Sequence, residues 1–266
     1  MAASVAVMTL ATEAVKAQGA YVNVGVGYGF PLACQTLGTN NSANSVEIVR
    51  GSLGKGFNAG AGFGYMFNEN IGAELNLNYL IGGKTTLTDN SSTTNEEDVQ
   101  TTKGSMLRIN PAIKVTFGET VKPYAKFGMV IGVAGKITET EEDHSGAPLL
   151  PMTTEIKTEY KGGVALGVSG ALGLDFMLSD MFGIYAELGA IAQSYAPTKS
   201  EIVQADFNGA DQLGNMTTRD RETEYSNDLP DDTGNDDNKP NQDLKFYSPF
   251  SSWGINVGVH LAFGGN

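Results

Sequence analysis

The sequence predicts an all-β chain of eight antiparallel strands in up-and-down order, closed into a barrel that crosses a membrane. Three observations carry this. First, eight segments alternate with period two: apolar side chains line one face, and glycine, alanine, asparagine or an isolated charge lines the other. Second, the connections alternate: long polar stretches follow segments one, three, five and seven, and turns of three or four residues follow segments two, four and six. Third, the apolar faces carry no charge over their central spans, yet no window holds the 18 or more apolar residues of a membrane-spanning helix. A chain that crosses lipid without such a helix must satisfy every backbone group by closing its sheet.

Residues 1–18 open with the apolar run Ala2–Ala11 and pass through Glu13 and Lys16 to Ala17 and Gln18. This is the pattern of a secretory signal peptide cut near Gln18 or Gly19, although no basic residue precedes the apolar run. Residues 19–266 then read as one domain. Strand one sets Val22, Val24, Val26, Tyr28 and Phe30 against Tyr21, Asn23, Gly25, Gly27 and Gly29; Pro31 ends it, and a loop runs to Arg50. Strand two sets Phe57, Phe63, Tyr65 and Phe67 against Asn58, Gly60, Gly62, Gly64 and Met66, and Asn68-Glu69-Asn70 turns into strand three. There Leu75, Leu77, Tyr79 and Ile81 oppose Glu74, Asn76 and Asn78, and a Thr-, Ser- and Asn-rich loop follows over about 84–104.

Strand four sets Leu107, Ile109, Ile113, Val115 and Phe117 against Arg108, Asn110 and Lys114. Pro111 removes a ladder donor and is expected to mark a bulge. After the turn at 118–121, strand five sends Phe127, Met129, Ile131 and Val133 outward, with Tyr124, Lys126, Gly128 and, farther along, Lys136 on the second face. A loop spans about 138–160. Strand six places Leu166, Leu172, Leu174 and Phe176 against Ser169 and Asp175, and strand seven places Phe182, Ile184 and Leu188 against Tyr185, Glu187 and Gln193. The longest loop, about 197–248, holds twelve acidic and five basic residues, a net of −7 within a chain total of −13. Strand eight alternates from Trp253 through Ile255, Val257, Val259 and Leu261 to Phe263, with Gly254, Asn256, Gly258 and His260 between them.

Composition narrows the function classes. The 34 glycines lack a collagen period, and the acidic balance argues against nucleic acid as a partner. Cys34, the single cysteine, excludes an internal disulfide and a cysteine metal cluster, and reads as a loop thiol.

The long closing strand, ending in an aromatic almost at the C-terminus, resembles the last strand of a bacterial outer-membrane barrel. With the alternation of long and short connections, the chain resembles the small outer-membrane barrels of the OmpA and OmpX kind over nearly all its mature length. Phe263 is followed by Gly264-Gly265-Asn266, where that family usually stops at the aromatic. The resemblance implies an eight-stranded antiparallel up-and-down transmembrane β-barrel with short periplasmic turns, long extracellular loops and both ends of the barrel on the periplasmic side. It also implies outer-membrane lipid, lipopolysaccharide and, through the C-terminal strand, the barrel-assembly machinery as partners.

Parity places Glu74, Lys114, Lys126, Asp175, Glu187 and His260 inside such a barrel, within about the first six residues from the short turns. They form a candidate charge layer, with Arg108 counted among its inward charges. A glycine wall of Gly25, Gly27, Gly29, Gly254 and Gly258 is expected to make room for Arg108, Lys114, Tyr124 and Lys126 on the opposite wall. Such a layer serves as a plug or as an ion gate, and the plug is the expected role. A lipid-facing Ser-His-acid arrangement, as the barrel-type lipid A deacylases have, is not expected, because His260 points inward and no serine accompanies it on the outer face. Neither a cofactor nor a metal is expected: the acidic run Asp228–Asn238 resembles a calcium loop only loosely, without the ordered ligand series that ends in glutamate. The sequence thus predicts a non-catalytic integral outer-membrane protein acting in envelope structure or surface interaction through its acidic loops. The alternatives are a narrow porin or transporter of small molecules, then a lipid-modifying enzyme.

Overall fold

The computed structural model describes residues 19–32, 35–42, 45–91, 96–145, 152–229 and 236–263. The expected signal peptide, Cys34, the centre of the acidic run and the three residues after Phe263 lie outside the described residues. The barrel strands are β1 (Gly19–Pro31), β2 (Gly56–Met66), β3 (Ile71–Gly82), β4 (Glu96–Thr116), β5 (Val121–Ser145), β6 (Ala165–Met177), β7 (Phe182–Tyr195) and β8 (Ser252–Phe263). Each pairs antiparallel with the next. The ring closes where β8 pairs with β1, from Ala20↔Phe263 to Pro31↔Ser252.

The barrel is apolar outside and polar within, the inverse of a water-soluble core. Phe57, Phe127 and Leu172 are about two-thirds exposed (66%, 67% and 65%), whereas Glu74, Lys114 and Asp175 are each 3% exposed. Rings gather at both ends of the apolar band. Phe30 stacks on Trp253 at 4.7 Å and Tyr28 meets Phe57 edge-on at 5.0 Å, while Phe67, Phe117, Phe176, Phe182 and Phe263 stand exposed at the short-turn end. Ten residue steps along β2, tilted as barrel strands are, span roughly 25 Å, the height of a membrane-facing band. No described helix is long and apolar enough to cross a membrane, so the crossing is made by strands.

The long connections are not loops over most of their length. Gln35–Ser42 pairs with Ser45–Gly51, Thr85–Ser91 with the start of β4, and Met152–Lys161 with the end of β5. Lys199–Phe207 then pairs with Met152–Lys161, and Glu222–Ser226 with Lys199–Phe207. These stretches continue the barrel sheet as a collar above the long-connection end. Their polarity reads as loop because outside the apolar band both faces meet water, so the apolar alternation that marks a membrane strand is lost while Thr, Val, Ile and Tyr still favour extended backbone. On the collar's outer face Lys136 reaches Glu159 at 2.7 Å and Lys161 reaches it at 2.6 Å. Hydrogen bonds from these two ammonium groups hold the Glu159 carboxyl below its ordinary range.

Pro111 does not mark a bulge. It sits in unbroken register opposite Leu75, and the only shift between β4 and β5 falls between Leu107 and Arg108, where Leu107 pairs with Ala134 and Arg108 with Gly132. The extra residue in β5 is Val133. It reverses that strand's parity: Lys126 and Val130 point inward below it, whereas Ile137 points inward above it and Lys136 lies outside, opposite to the sequence expectation.

Candidate functional site

Six of the seven predicted lumen charges meet at the short-turn end. Lys126, from β5, reaches across to two strands: its Nζ is 3.1 Å from Glu74 Oε1 and 2.5 Å from Glu187 Oε2. Each carboxylate also accepts from neutral donors. Tyr21 Oη (2.9 Å) and Asn23 Nδ2 (3.2 Å) donate to Glu74, while Tyr124 Oη (3.1 Å) and Asn256 Nδ2 (3.3 Å) donate to Glu187. Lys114 donates to Asp175 at 2.7 Å and lies over the Tyr124 ring at 4.3 Å. His260 stacks on Tyr21 at 4.7 Å with its Nδ1 4.0 Å from Asp175 Oδ1. Three carboxylates thus face two ammonium groups and an imidazole, nearly dry and packed across the bore.

Arg108 is not part of this layer. It sits higher on β4, where Nε donates to Gln193 Oε1 at 2.9 Å and Nη2 to the Phe250 carbonyl at 3.1 Å; among the described residues it makes no ion pair. Parity places it inside correctly, but its height separates it from the carboxylates.

The glycines make room chiefly for neighbouring strands rather than for the opposite wall. Three lumen tyrosines each cover a glycine paired directly across from them: Tyr21 over Gly64, Tyr124 over Gly173 and Tyr185 over Gly258. A Cβ at Gly64 would stand 2.1 Å from the Tyr21 ring, so any larger residue there must displace it. The flattened rings carry their hydroxyls toward the bore, and those of Tyr21 and Tyr124 reach the charge layer.

Above the layer lies a chamber of about 140 Å³ walled by the amides of Asn23, Asn58, Asn76, Asn78, Asn110 and Asn256. At about 30 Å³ per water it holds a handful of them. The sequence shows these asparagines on the inner face, but it does not show that the chamber has a roof. That roof is an apolar cluster of Leu53, Leu80, Met106, Ile137, Ala165, Tyr195 and Phe250. Leu53 and Phe250 come from the connections rather than the strands, and both are tied in by backbone bonds: Leu53 N to Pro249 O and Phe250 N to Gln193 O, each 2.9 Å. Phe250 packs edge-on against Tyr195 at 5.6 Å. The sequence does not single these two out, because the same connections also hold Leu37, Val46, Ile48, Phe246 and Tyr247. Beyond this roof opens a second cavity of about 270 Å³, with Leu53 and Ile137 among its walls.

The bore is therefore closed twice, by charge near the short turns and by apolar packing near the collar. His260 lies within the lower closure, away from the lipid face. Among the described residues no group of three or more His, Cys, Asp or Glu is placed to hold a metal ion.

Over residues 1–266 the sequence matches the family described as outer membrane protein beta-barrel domain. The chain belongs to that family. Its site is the bacterial outer membrane, which makes the short turns of this outer-membrane barrel periplasmic and its collar extracellular. No curated protein matches the sequence. Among solved structures the barrel is similar to the outer membrane protein OprG from Pseudomonas aeruginosa, at 13% identity and a TM-score of 0.42 over 93% of this chain and 97% of that one. It is also similar to Ail, the attachment invasion locus protein of Yersinia pestis (11%, 0.32, covering 91% and 98%), and to CarO2 of Acinetobacter baumannii (12%, 0.33, covering 91% and 99%).

Proposed function

We propose that this outer-membrane barrel is a non-conducting, non-catalytic surface protein whose role, in envelope structure or surface interaction, is carried by its extracellular collar. The double closure of the bore supports this reading. An ion entering from outside meets the Leu53–Phe250 roof, and one entering from the periplasm meets the Glu74–Lys126–Glu187 bridge, so both would have to rearrange for steady flow. The partners in this reading are outer-membrane lipid and lipopolysaccharide around the apolar band, the assembly machinery at β8, and surface ligands on the acidic collar. Recording from purified protein in a planar bilayer tests it: the expected trace is silent, and a steady, large conductance overturns it in favour of a narrow porin. The amide-lined chamber is the observation that favours a small-molecule transporter as the second reading. Unchanged lipid A after expression is the result expected of a non-enzyme.

A further inference from the structure

The extracellular cavity above the roof differs from the chamber below it. Leu37, Leu87 and Ile137 give it apolar walls, and Gln35, Thr85 and Thr102 give scattered polar atoms. Among its described lining residues Glu139 is the single carboxylate, and no ammonium or guanidinium lines it. Val133 is the reason Glu139 points inward, since without the parity reversal this carboxylate would stand on the collar's outer face.

Around Glu139 the groups are those that favour a cation. Tyr160 Oη donates to its Oε1 at 3.4 Å, and among the described residues no basic side chain forms an ion pair with it. The Tyr160 and Phe246 rings meet at 88° with centroids 5.7 Å apart, forming an aromatic corner on the same wall, and Tyr247, 66% exposed, stands at the mouth. Ring faces attract cations, most of all where water is excluded. Burial pushes the Glu139 carboxyl above its ordinary range, Glu141 adds to this, and the hydrogen bond from Gln100 opposes it. A half-buried carboxyl without an ion-pair partner gains from a bound cation. The acidic collar would in turn raise the local concentration of any cation near the mouth.

We infer that this cavity binds a small amphiphilic organic ammonium ion, its charged nitrogen between Glu139 and the Tyr160–Phe246 corner and its alkyl chain against Leu37, Leu87 and Ile137. The volume, about 270 Å³, suits a chain of several carbons rather than a drug-sized molecule. Because the apolar roof floors the cavity, the site retains its ligand rather than passing it to the chamber. The inference does not depend on the surface-protein reading: a conducting channel would overturn that reading and leave this one standing.

Isothermal titration of the full-length barrel in neutral detergent, with hexylammonium chloride and 1-hexanol as probes, tests it. Saturable one-to-one binding of hexylammonium, at least tenfold tighter than hexanol, is expected. Glu139→Gln, nearly isosteric, is expected to remove at least tenfold of that affinity, and Leu87→Trp, which fills the cavity from another strand, to abolish it. Equal affinity for the two probes, no binding of hexylammonium, or unchanged affinity in Glu139→Gln overturns the inference. The comparison of probes on the unaltered protein stands even if a variant fails to fold.

Discussion

Lys126 is the side chain on which the periplasmic closure depends, and replacing it with methionine isolates what the charge layer contributes. At 3.1 Å from Glu74 the attraction is about 5 kcal/mol at an effective dielectric near 20, and the Glu187 contact is shorter. Burying the ammonium offsets much of that, so the measurable quantity is the cost of leaving two carboxylates without their cation, typically 3–5 kcal/mol for a broken buried pair. Here each carboxylate keeps two neutral donors, Tyr21 and Asn23 on Glu74 and Tyr124 and Asn256 on Glu187. That places Lys126→Met at the low end, about 3 kcal/mol, or a fall of roughly 1–3 M in the urea midpoint. Reversible unfolding from lipid vesicles measures it. The triple variant Glu74→Gln, Lys126→Met, Glu187→Gln should return to within about 1 kcal/mol of the parent, because amides accept the same donors without a stranded charge. An unchanged midpoint in Lys126→Met, or a triple variant no better than the single one, would refute the reasoning.

Other outcomes follow from the same geometry. Leu75→Arg, on the lipid face of β3, should cost roughly 2–4 kcal/mol if it lies at the midplane, while Asn76→Arg beside it faces the chamber and should cost less; equal tolerance in vesicle unfolding would mean the faces are inverted. Phe250→Ala should lose about 3–5 kcal/mol through the cavity it opens in the roof and still give no conductance, because the charge layer below remains closed; a steady current from this single variant would show that the layer is no barrier. Glu139, with its carboxyl raised, binds its proton more tightly folded than unfolded, so its contribution to stability is intact below the ordinary glutamate value of about 4.3 and declines as pH rises through the raised one. A carbon-detected NMR titration of Glu139 should therefore have its midpoint above that ordinary value, and Glu139→Gln should gain on the parent as pH rises through that midpoint. A midpoint at or below it contradicts the inward, half-buried placement.

The strands and their inward faces were legible from residue order because a membrane barrel repeats one rule, apolar toward lipid and small or polar toward the bore. Parity alone put Glu74, Lys114, Lys126, Asp175, Glu187 and His260 in the lumen, and the distance from the short turns put them at one height. The same rule failed where its cause ended. Outside the lipid no face must be apolar, so the collar strands Thr85–Ser91 and Met152–Lys161 looked like loops. Parity also fails across an inserted residue, so Val133 hid the inward turn of Glu139 and the outward turn of Lys136.

What the sequence by itself determined is the closed barrel, its orientation rule and the presence of paired charges within, because side-chain alternation is local and lipid enforces it at every strand. Only the tertiary structure decided how the bore is sealed. Arg108 joins Gln193 and the Phe250 carbonyl rather than a carboxylate, and Leu53 and Phe250 fold down from separate connections to meet over the chamber. Leu53 and Phe250 are nearly 200 positions apart, and they meet because closing the barrel places β8 and β2 on either side of β1, so the last strand is also what sets the roof in place.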